Sequence, residues 1–182
     1  MSDFIKTTSI PGLLYMDHPI YADHRGFFRE VFHLEELEKE LGHRFKIVQW
    51  NHSQSLPGVI RGQHAEGWNK LIYPTTGQAF LSLADIRPNS PTFGKYEAFE
   101  FNGKDYFALY VPKGLANSIC VTGKEPVNYL YLVDAYYDGS DTNAVAWDDP
   151  DINIKWPIKN PIISDRDKHN SHLRQMFPEK FK

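Results

Sequence analysis

Short stretches rich in β-branched and aromatic residues recur along the chain, and turn residues separate each stretch from the next. Each stretch has the length of one strand and is too short for a core helix. An Asn-Gly step at residues 102–103 predicts a hairpin between two of them, because both residues tolerate a positive φ angle. The predicted strands cover residues 45–50, 59–61, 70–73, 79–86, 96–101, 106–111 and 127–134.

Two other segments favour a helix. Leu34, Leu37 and Leu41 recur at helical spacing and Gly42 follows them, which predicts a short helix over residues 34–41. The charged tail after residue 164 predicts a second short helical segment. Because helices do not alternate with strands, a parallel βαβ sheet is disfavoured and an all-β sandwich or barrel is predicted. No linker divides the chain, so we expect a single domain over residues 1–182.

Charge and composition argue against nucleic-acid and membrane partners. The net charge of the 182 residues is −3, which gives no strong field toward nucleic acid or a membrane surface. No apolar run is long enough to span a bilayer, and the first residues lack the apolar region of a signal peptide. Cys120 is the single cysteine, so it forms no internal disulfide. We therefore expect a cytoplasmic protein.

Two of the predicted strands carry candidate chemistry. Arg61 and His64 flank Gly62 at an odd spacing, so their side chains converge only if the strand bends at the glycine. Period-two alternation over residues 127–133 places Tyr131 on an inner wall, where a phenol could donate a proton. Taken alone, a surface arginine, a core histidine and a core tyrosine are the commoner roles of such residues.

The sequence argues against a metal centre in the barrel. Metalloenzymes with a jelly-roll barrel usually supply a His-x-His pair from one strand and a further histidine after a Pro-x-Gly turn. Here His64 is followed two residues later by Glu66. After the Pro-Lys-Gly turn at residues 112–114, the histidine position is Asn117, a poor ligand for a transition metal. We therefore expect proton-transfer chemistry that uses neither a metal nor a cofactor.

Several short motifs occur in a characteristic order: IPG at residues 10–12, DHRGFFRE at 23–30, VQWNHS at 48–53, GVIRGQH at 58–64, DIR at 85–87, SPTFG at 90–94, WDDP at 147–150 and ISDRD at 163–167. Each motif alone is weak evidence, but their order and spacing together are strong. In these motifs the chain resembles the dTDP-4-dehydrorhamnose 3,5-epimerase family, the metal-free sugar-nucleotide branch of the cupins, over nearly its whole length. The resemblance implies an all-β cupin-type jelly roll, a double-stranded β-helix, with one short helix in the N-terminal half and a short helical C-terminal tail.

The resemblance also implies a catalytic set of four residues. His64 matches the general base of the family and Asp167 the carboxylate that orients it. Tyr131 matches the phenol that acts as an acid on the opposite face of the sugar, and Lys70 falls near the 4-keto oxygen. A ketone at C4 acidifies the hydrogens on C3 and C5, because removal of either gives an enolate. The implied reaction is epimerisation at C3, C5 or both of a nucleotide-linked 4-keto-6-deoxy sugar, in the biosynthesis of deoxysugars and cell-surface polysaccharides such as O-antigen.

Substrate-binding residues and a partner follow from the same resemblance. Tyr137 matches an aromatic residue that stacks on the nucleobase, and Arg166 matches a basic position that contacts the substrate. Family members are homodimers whose N-terminal strands exchange between subunits, so some of these residues are expected to complete the site of the other subunit. The remaining implied substrate-binding residues are Arg25, Glu30, Gln49, Asn51, Arg61 and Asn117.

Two positions depart from the pattern of the family. Asn117 stands where the typical enzyme has a histidine, and Leu81 stands where it usually has an aspartate on the barrel wall. Because lost polar groups change which sugar hydroxyls can be bonded, we expect a substrate other than the usual rhamnose precursor. Neutral drift at the two positions is the alternative. The nucleotide (TDP, CDP or GDP) cannot be read from stacking residues, since every base offers a π-face.

Two further functions stay open from the sequence. A 3,4-ketoisomerase is a related jelly-roll enzyme that also proceeds through an enolate, and its product distinguishes it by NMR. A non-catalytic carbohydrate-binding jelly roll would bind sugar without exchanging its hydrogens with solvent. The placement of Tyr131 and of the pair His64 and Asp167 favours epimerisation over both.

Overall fold

The computed structural model describes residues 3–137 and 143–181. Within these ranges the chain forms two α-helices, α1 (Leu34–Leu41) and α2 (Leu173–Met176), and short 3₁₀ turns at Asp167–His169 and Pro178–Lys180. The strands are β1 (Ile5–Thr7), β2 (Leu14–Met16), β3 (Tyr21–Asp23), β4 (Gly26–Phe28), β5 (Gln49–Ser55), β6 (Ile60–Ala65), β7 (Lys70–Pro74), β8 (Ala79–Asp85), β9 (Tyr96–Phe101), β10 (Ala108–Val111), β11 (Leu115–Val121), β12 (Val127–Val133) and β13 (Asn143–Ala144).

Two antiparallel sheets pack face to face around the main hydrophobic core. The six-stranded sheet has the order β1-β2-β10-β7-β12-β5, and the five-stranded sheet has the order β13-β6-β11-β8-β9. β3 and β4 form a separate two-stranded hairpin. Inward side chains of both sheets meet in the core, including Leu83 and Ile119 from one sheet and Ile72 and Leu109 from the other. This arrangement confirms the predicted all-β jelly roll.

The C-terminal segment packs against the five-stranded sheet. Ile152 and Leu173 are buried in a second hydrophobic cluster with residues of β8 and β11. Further along this segment, Ile162 exchanges backbone hydrogen bonds with Gly58 and Ile60 at the start of β6, at distances of 2.8 and 3.1 Å. The segment that follows therefore runs beside β6.

The predicted helix at residues 34–41 is confirmed as α1. Gly42 ends it in the left-handed conformation, with φ 70°, and its N–H donates to the carbonyl of Glu38 at 3.0 Å. Leu37 buries the apolar face in a cluster that also contains Phe45. The strand predicted from residue 45 was wrong at its start, because Phe45 packs in this cluster from a loop and β5 begins only at Gln49. None of the helices in the described ranges is long and apolar enough to cross a membrane.

The hairpin predicted at residues 102–103 was also wrong, although the turn itself is present. Gly103 has φ 83°, and the side-chain oxygen of Asn102 accepts two backbone N–H groups at 2.9 Å. The flanking strands do not pair with each other, since β9 pairs with β8 and β10 pairs with β2 and β7. Phe101 and Phe107 both pack in the core between the sheets, so the chain crosses from one sheet to the other at this turn.

Candidate active site

A cavity of about 270 Å³ is lined by residues from both sheets. β5 and β12 of the six-stranded sheet contribute to it, and the end of β6 contributes from the five-stranded sheet. Ionisable and aromatic side chains make up most of its lining, which suits a polar ligand that carries a ring. The lining residues are Gln49, Asn51, His64, Glu66, Trp68, Tyr131, Val133, Ala135, Tyr137 and Arg166.

A hydrogen bond joins His64 on β6 to Asp167 in the C-terminal segment, with 2.7 Å between Nε2 and Oδ1. The other carboxylate oxygen of Asp167 accepts the N–H of Gly62 at 3.4 Å, and Ser164 bonds the backbone of Asp167 at 3.1 Å. Burial alone would raise the pKa of Asp167. The pKa is nevertheless lowered, because Asp167 accepts hydrogen bonds from His64, Gly62 and Ser164 and because the charge of His64 lies close by. An ionised Asp167 only accepts hydrogen bonds, so Nε2 of His64 carries the proton and Nδ1 is the basic nitrogen.

A bend is present at Gly62, but Arg61 and His64 do not converge, since only His64 lines the cavity. The pairing of β6 with β11 slips by one residue at this point, which is a β-bulge. Gly62 has φ 135°, and a Cβ atom there would lie 2.3 Å from the Cβ of Ser118 on β11. Only glycine permits this close approach, and the bulge turns His64 toward the cavity.

Tyr131 enters the cavity from the six-stranded sheet. β12 alternates as predicted, since Tyr131 and Val133 line the cavity while Leu130 and Leu132 line an apolar groove on the outer face of the sheet, which Tyr131 also borders. Burial raises the pKa of Tyr131, and the carboxylate of Glu66 raises it further. The phenol is therefore protonated near neutral pH and able to donate its proton.

Lys70 and Glu66 form a buried ion pair beside Tyr131. The ammonium of Lys70 donates to Oε1 of Glu66 and lies 5.3 Å from the ring centroid of Tyr131. The two side chains are 8% and 14% exposed. Burial lowers the pKa of Lys70, and the carboxylate of Glu66 opposes this shift. The charge of Lys70 therefore depends on Glu66.

Glu66 is the main cavity residue to which the sequence reasoning gave no role at the site. Its Oε2 accepts a hydrogen bond from the side-chain amide of Asn117 at 3.3 Å, and the same amide donates to the backbone carbonyl of His64 at 3.1 Å. The sequence could have predicted this position, because Glu66 follows His64 by two residues and alternation along a strand directs both side chains to one face.

The two positions that depart from the family pattern have different surroundings. Asn117 lies opposite His64 in the strand pairing, and its side-chain oxygen accepts the hydroxyl of Tyr129 at 3.5 Å. Burial raises the pKa of Tyr129 well above its ordinary value. Leu81 is fully buried in the core between the sheets and does not line the cavity. An amide thus stands at the histidine position of the resemblance, and a core leucine stands at the aspartate position.

Only some of the predicted substrate-binding residues lie together in the cavity. Gln49, Asn51, Tyr137 and Arg166 line the cavity, and the amide of Gln49 donates to Asn51 at 2.6 Å. Trp68 was not assigned from the sequence, yet its ring lies edge to face with Tyr137, with 6.3 Å between the ring centroids. The two rings offer an aromatic surface beside the polar side chains.

Four other predicted substrate-binding residues do not line the cavity of this chain: Asn117, described above, and Arg25, Glu30 and Arg61. Arg25 pairs with a carboxylate of its own β3–β4 hairpin. Glu30 lies 3.1 Å from His33, near the start of α1. Arg61 donates to a hydroxyl and to a carbonyl of β5 at 2.7 and 3.0 Å. One chain by itself therefore does not bring Arg25, Glu30 and Arg61 to the cavity.

Comparison with known proteins agrees with this geometry. The family model for dTDP-4-dehydrorhamnose 3,5-epimerase matches residues 7–175. The chain belongs to this family. It is therefore an isomerase, an epimerase of deoxysugar biosynthesis, and neither the ketoisomerase nor the carbohydrate-binding alternative is supported.

Three relatives illustrate the range of the epimerase family. The dTDP-4-dehydrorhamnose 3,5-epimerase of Shigella flexneri is 35% identical over 164 residues, covering 88% of this chain and 90% of that protein. The dTDP-4-dehydrorhamnose 3-epimerase of Streptomyces niveus is 30% identical over 168 residues, covering 90% and 81%. The crystal structure of dTDP-6-deoxy-D-glucose-3,5-epimerase from Legionella pneumophila, in complex with dTDP-4-keto-L-rhamnose, superposes with a TM-score of 0.88 at 31% identity, covering 96% and 95%.

Replacing Gly62 by alanine should destabilise this epimerase more than replacing Gly26 by alanine. The two glycines have φ angles of 135° and 136°, but a Cβ meets nothing within 4 Å at Gly26 and clashes with Ser118 at Gly62. We expect Gly62→Ala to lower the free energy of unfolding by about 3 kcal/mol, from backbone strain plus overpacking, and Gly26→Ala by about 1 kcal/mol from strain alone. Urea denaturation measures both losses, and equal losses would contradict the close-approach explanation.

Proposed function

We propose that the protein inverts C3, C5 or both of a nucleotide-linked 4-keto-6-deoxy sugar through an enolate, in deoxysugar and cell-surface polysaccharide biosynthesis. The observation that carries the proposal is a single cavity lined by an imidazole from one sheet and a phenol from the other. The relative from Legionella pneumophila was solved with dTDP-4-keto-L-rhamnose. That complex supports a nucleotide-linked 4-keto sugar as the substrate here.

The first step of the proposed mechanism is removal of a proton by His64. Nδ1 of His64 takes a hydrogen from the carbon beside the ketone, and the C–H electron pair moves into the C4 carbonyl to form the enolate. Asp167 acts as a positioning residue, because its buried carboxylate fixes the tautomer and stabilises the imidazolium that forms.

The enolate oxygen needs a positive charge close by. Lys70 supplies it in the proposal, since its ammonium lies beside Tyr131 in a nearly dry part of the site. Glu66 accepts a hydrogen bond from that ammonium and opposes the lowering of the Lys70 pKa by burial. Glu66 also holds the amide of Asn117, so one carboxylate organises both side chains.

Inversion is completed when the carbon receives a proton from the opposite face. Tyr131 is the proposed donor, because it lines the same cavity from the other sheet and its raised pKa keeps the proton on the phenol at neutral pH. After each turnover His64 releases its extra proton to solvent, and the Tyr131 phenolate takes up a proton from solvent. The chemistry as proposed uses no redox step and no metal.

The remaining lining residues suit the nucleotide. The planar guanidinium of Arg166 can donate to two phosphate oxygens at once, and Gln49 and Asn51 offer amide groups in the same cavity. Tyr137 and Trp68 present aromatic surface for a base. Because stacking accepts any base, we leave TDP, CDP and GDP as candidates for the nucleotide.

We infer that the sugar differs from the usual rhamnose precursor. Beside the proposed base, the cavity presents the carboxylate of Glu66, and the amide of Asn117 bonds that carboxylate from the neighbouring strand. A carboxylate only accepts hydrogen bonds from sugar hydroxyls, whereas a histidine at this position could also donate one. The relative from Streptomyces niveus is a 3-epimerase, which supports single inversion as one possibility within the family. Full activity on the rhamnose precursor alone would contradict this inference.

We also propose a homodimer in which N-terminal strands exchange. β1 and β2 pair within the chain onto β10. Among residues 3–137 and 143–181, β3 and β4 pair with each other and with no other strand, and both are exposed along their length. This hairpin carries Arg25, so exchange would bring Arg25 to the cavity of the other subunit. Trp50 is 70% exposed beside an apolar groove on the outer face of the six-stranded sheet. Sedimentation as a monomer at micromolar concentration would exclude the exchange.

The single domain over residues 1–182 and the cytoplasmic location stay predictions. The family model runs through residues 7–175 as one unit, which supports a single domain. Limited proteolysis that releases two stable folded fragments would contradict the single domain. Recovery of the native protein outside the cytoplasmic fraction would contradict the cytoplasmic location.

Enolisation is tested by incubating the protein in D₂O with the TDP-, CDP- and GDP-linked 4-keto-6-deoxyglucose sugars and following the C3 and C5 protons by NMR. We expect loss of one or both signals with at least one nucleotide, because each enolate returns a solvent deuteron to carbon. His64→Ala should slow the exchange by at least about a hundredfold, since it removes the base. The signals also name the carbons that react.

The control variant for this experiment is His52→Ala, which removes an exposed imidazole that bonds Asn128 away from the cavity. Its exchange rate should equal that of the unaltered protein. Exchange that survives His64→Ala at full rate would overturn the role of His64. The absence of exchange with all three sugars would overturn the proposed substrate class.

Glu66→Gln should lower kcat/KM by about tenfold at neutral pH, because Lys70 loses the partner that holds it. Glu66 raises the pKa of Lys70, so its removal lets burial lower that pKa further. The ammonium is then lost at lower pH, and the alkaline limb of the pH profile of kcat/KM should move to lower pH. Glu125→Gln, at an exposed carboxylate between β11 and β12, is the control. An unchanged alkaline limb in Glu66→Gln would contradict the coupling.

A further inference from the structure

A second group of potential ligands lies outside the cavity, at the base of the β3–β4 hairpin. His18 follows β2, and His33 and Glu36 lie at the start of α1, three residues apart and on one face of the helix. One ligand atom from each of the three residues lies within 4.8 Å of the other two. Oε1 of Glu36 is 3.2 Å from Nδ1 of His33, and its Oε2 is 3.6 Å from Nε2 of His18.

His18 is the unusual member of this group. Its side chain is only 2% exposed, yet neither ring nitrogen has a hydrogen-bond partner among residues 3–137 and 143–181. The 3.6 Å contact to Glu36 is longer than a hydrogen bond. Buried polar groups in folded proteins nearly always have a partner, so two unpaired nitrogens on one buried ring require an explanation. Nε2 points toward the carboxylate and is placed to bind a ligand shared with it.

We propose that His18, His33 and Glu36 bind one divalent transition-metal ion of the Zn²⁺ type, with water as the fourth ligand. Ligand atoms about 2.0–2.1 Å from a tetrahedral Zn²⁺ lie about 3.3 Å from one another. The separations of 3.2 and 3.6 Å, one to each oxygen of the Glu36 carboxylate, are close to that spacing. The three ligand atoms lie within 4.8 Å of one another, so side-chain adjustment would be needed to bring all of them onto one ion. Two imidazoles and one carboxylate suit Zn²⁺, Co²⁺ or Ni²⁺, whereas Mg²⁺ and Ca²⁺ prefer oxygen ligands throughout.

Glu30 gives this group the outer carboxylate that metal-binding histidines usually have. Its Oε2 lies 3.1 Å from Nε2 of His33, on the side of the ring away from Glu36. A hydrogen bond at Nε2 fixes the tautomer in which Nδ1 has a free lone pair for the metal.

The bound ion would fix the segment that carries the hairpin. His18 precedes β3 and the other two ligands follow β4, so the ion closes the base of the loop that presents Arg25. The site is separate from the cavity of His64 and Tyr131, and it shares no residue with the lining of that cavity. The role is therefore structural, and it stands whether or not the proposed reaction is right.

The test is titration of tag-free, EDTA-treated protein with Zn²⁺ by calorimetry, and with Co²⁺ by visible absorption. We expect one ion per chain and the intense bands of tetrahedral Co²⁺. His33→Ala should weaken Zn²⁺ binding by at least about a hundredfold, and Glu30→Gln by about tenfold, as expected for a ligand and for its outer partner. His43→Ala, at an exposed histidine just past the other end of α1, should leave the affinity unchanged.

Thermal unfolding supplies a readout that does not depend on activity. Zn²⁺ should raise the Tm of the unaltered protein and of His43→Ala, and it should leave the Tm of His33→Ala unchanged. His33 is half-exposed and makes no side-chain cap to α1, so its removal leaves the fold intact. A protein that binds neither metal, or that binds Zn²⁺ equally well as His33→Ala, would overturn the site and leave an ordered water as the partner of His18.

Discussion

The hydrogen bond between His64 and Asp167 is the contact on which both the fold near the cavity and the proposed chemistry depend. It joins residues 103 positions apart, so the C-terminal segment must pack beside β6 before the pair can form. Gly62 permits the bulge that turns His64 inward and adds its own N–H to the same carboxylate. A buried carboxylate is stable here only because these donors meet it, and the same donors set the tautomer of the base.

The electrostatics of the cavity are arranged around a second buried pair. Lys70 and Glu66 compensate each other, and the ammonium of Lys70 lies 5.3 Å from the ring centroid of Tyr131 on β12. Burial favours the neutral amine and lowers the pKa of Lys70, and the carboxylate of Glu66 opposes that shift. The carboxylate therefore preserves a positive charge close to the position where an enolate would form, and it gives this chain a polar contact that its resemblance to the family did not imply.

The sequence predicted the elements whose signals are local. Leucine spacing and Gly42 located α1, and alternation placed Tyr131 and Val133 on the inner face. The Asn-Gly turn at residues 102–103 misled because a turn does not specify which strands pair, and burial of aromatic side chains between the sheets decided that instead. The contact of Asp167 with β6 spans most of the chain, so only the resemblance to a family pointed to it. Glu66 was within reach of the alternation rule, but its ion pair with Lys70 depends on tertiary packing.

The proposal that His64 on one sheet acts as the base and Tyr131 on the other as the acid is tested most directly by deuterium exchange and product formation in Tyr131→Phe. With the phenol removed and His64 intact, solvent deuterium should still enter the reacting carbon with retention of configuration. Formation of the inverted product should fall by at least about a hundredfold, because the opposite face has lost its proton donor. An inverted product that forms at the unaltered rate would contradict the account and move the acid to another group in the cavity.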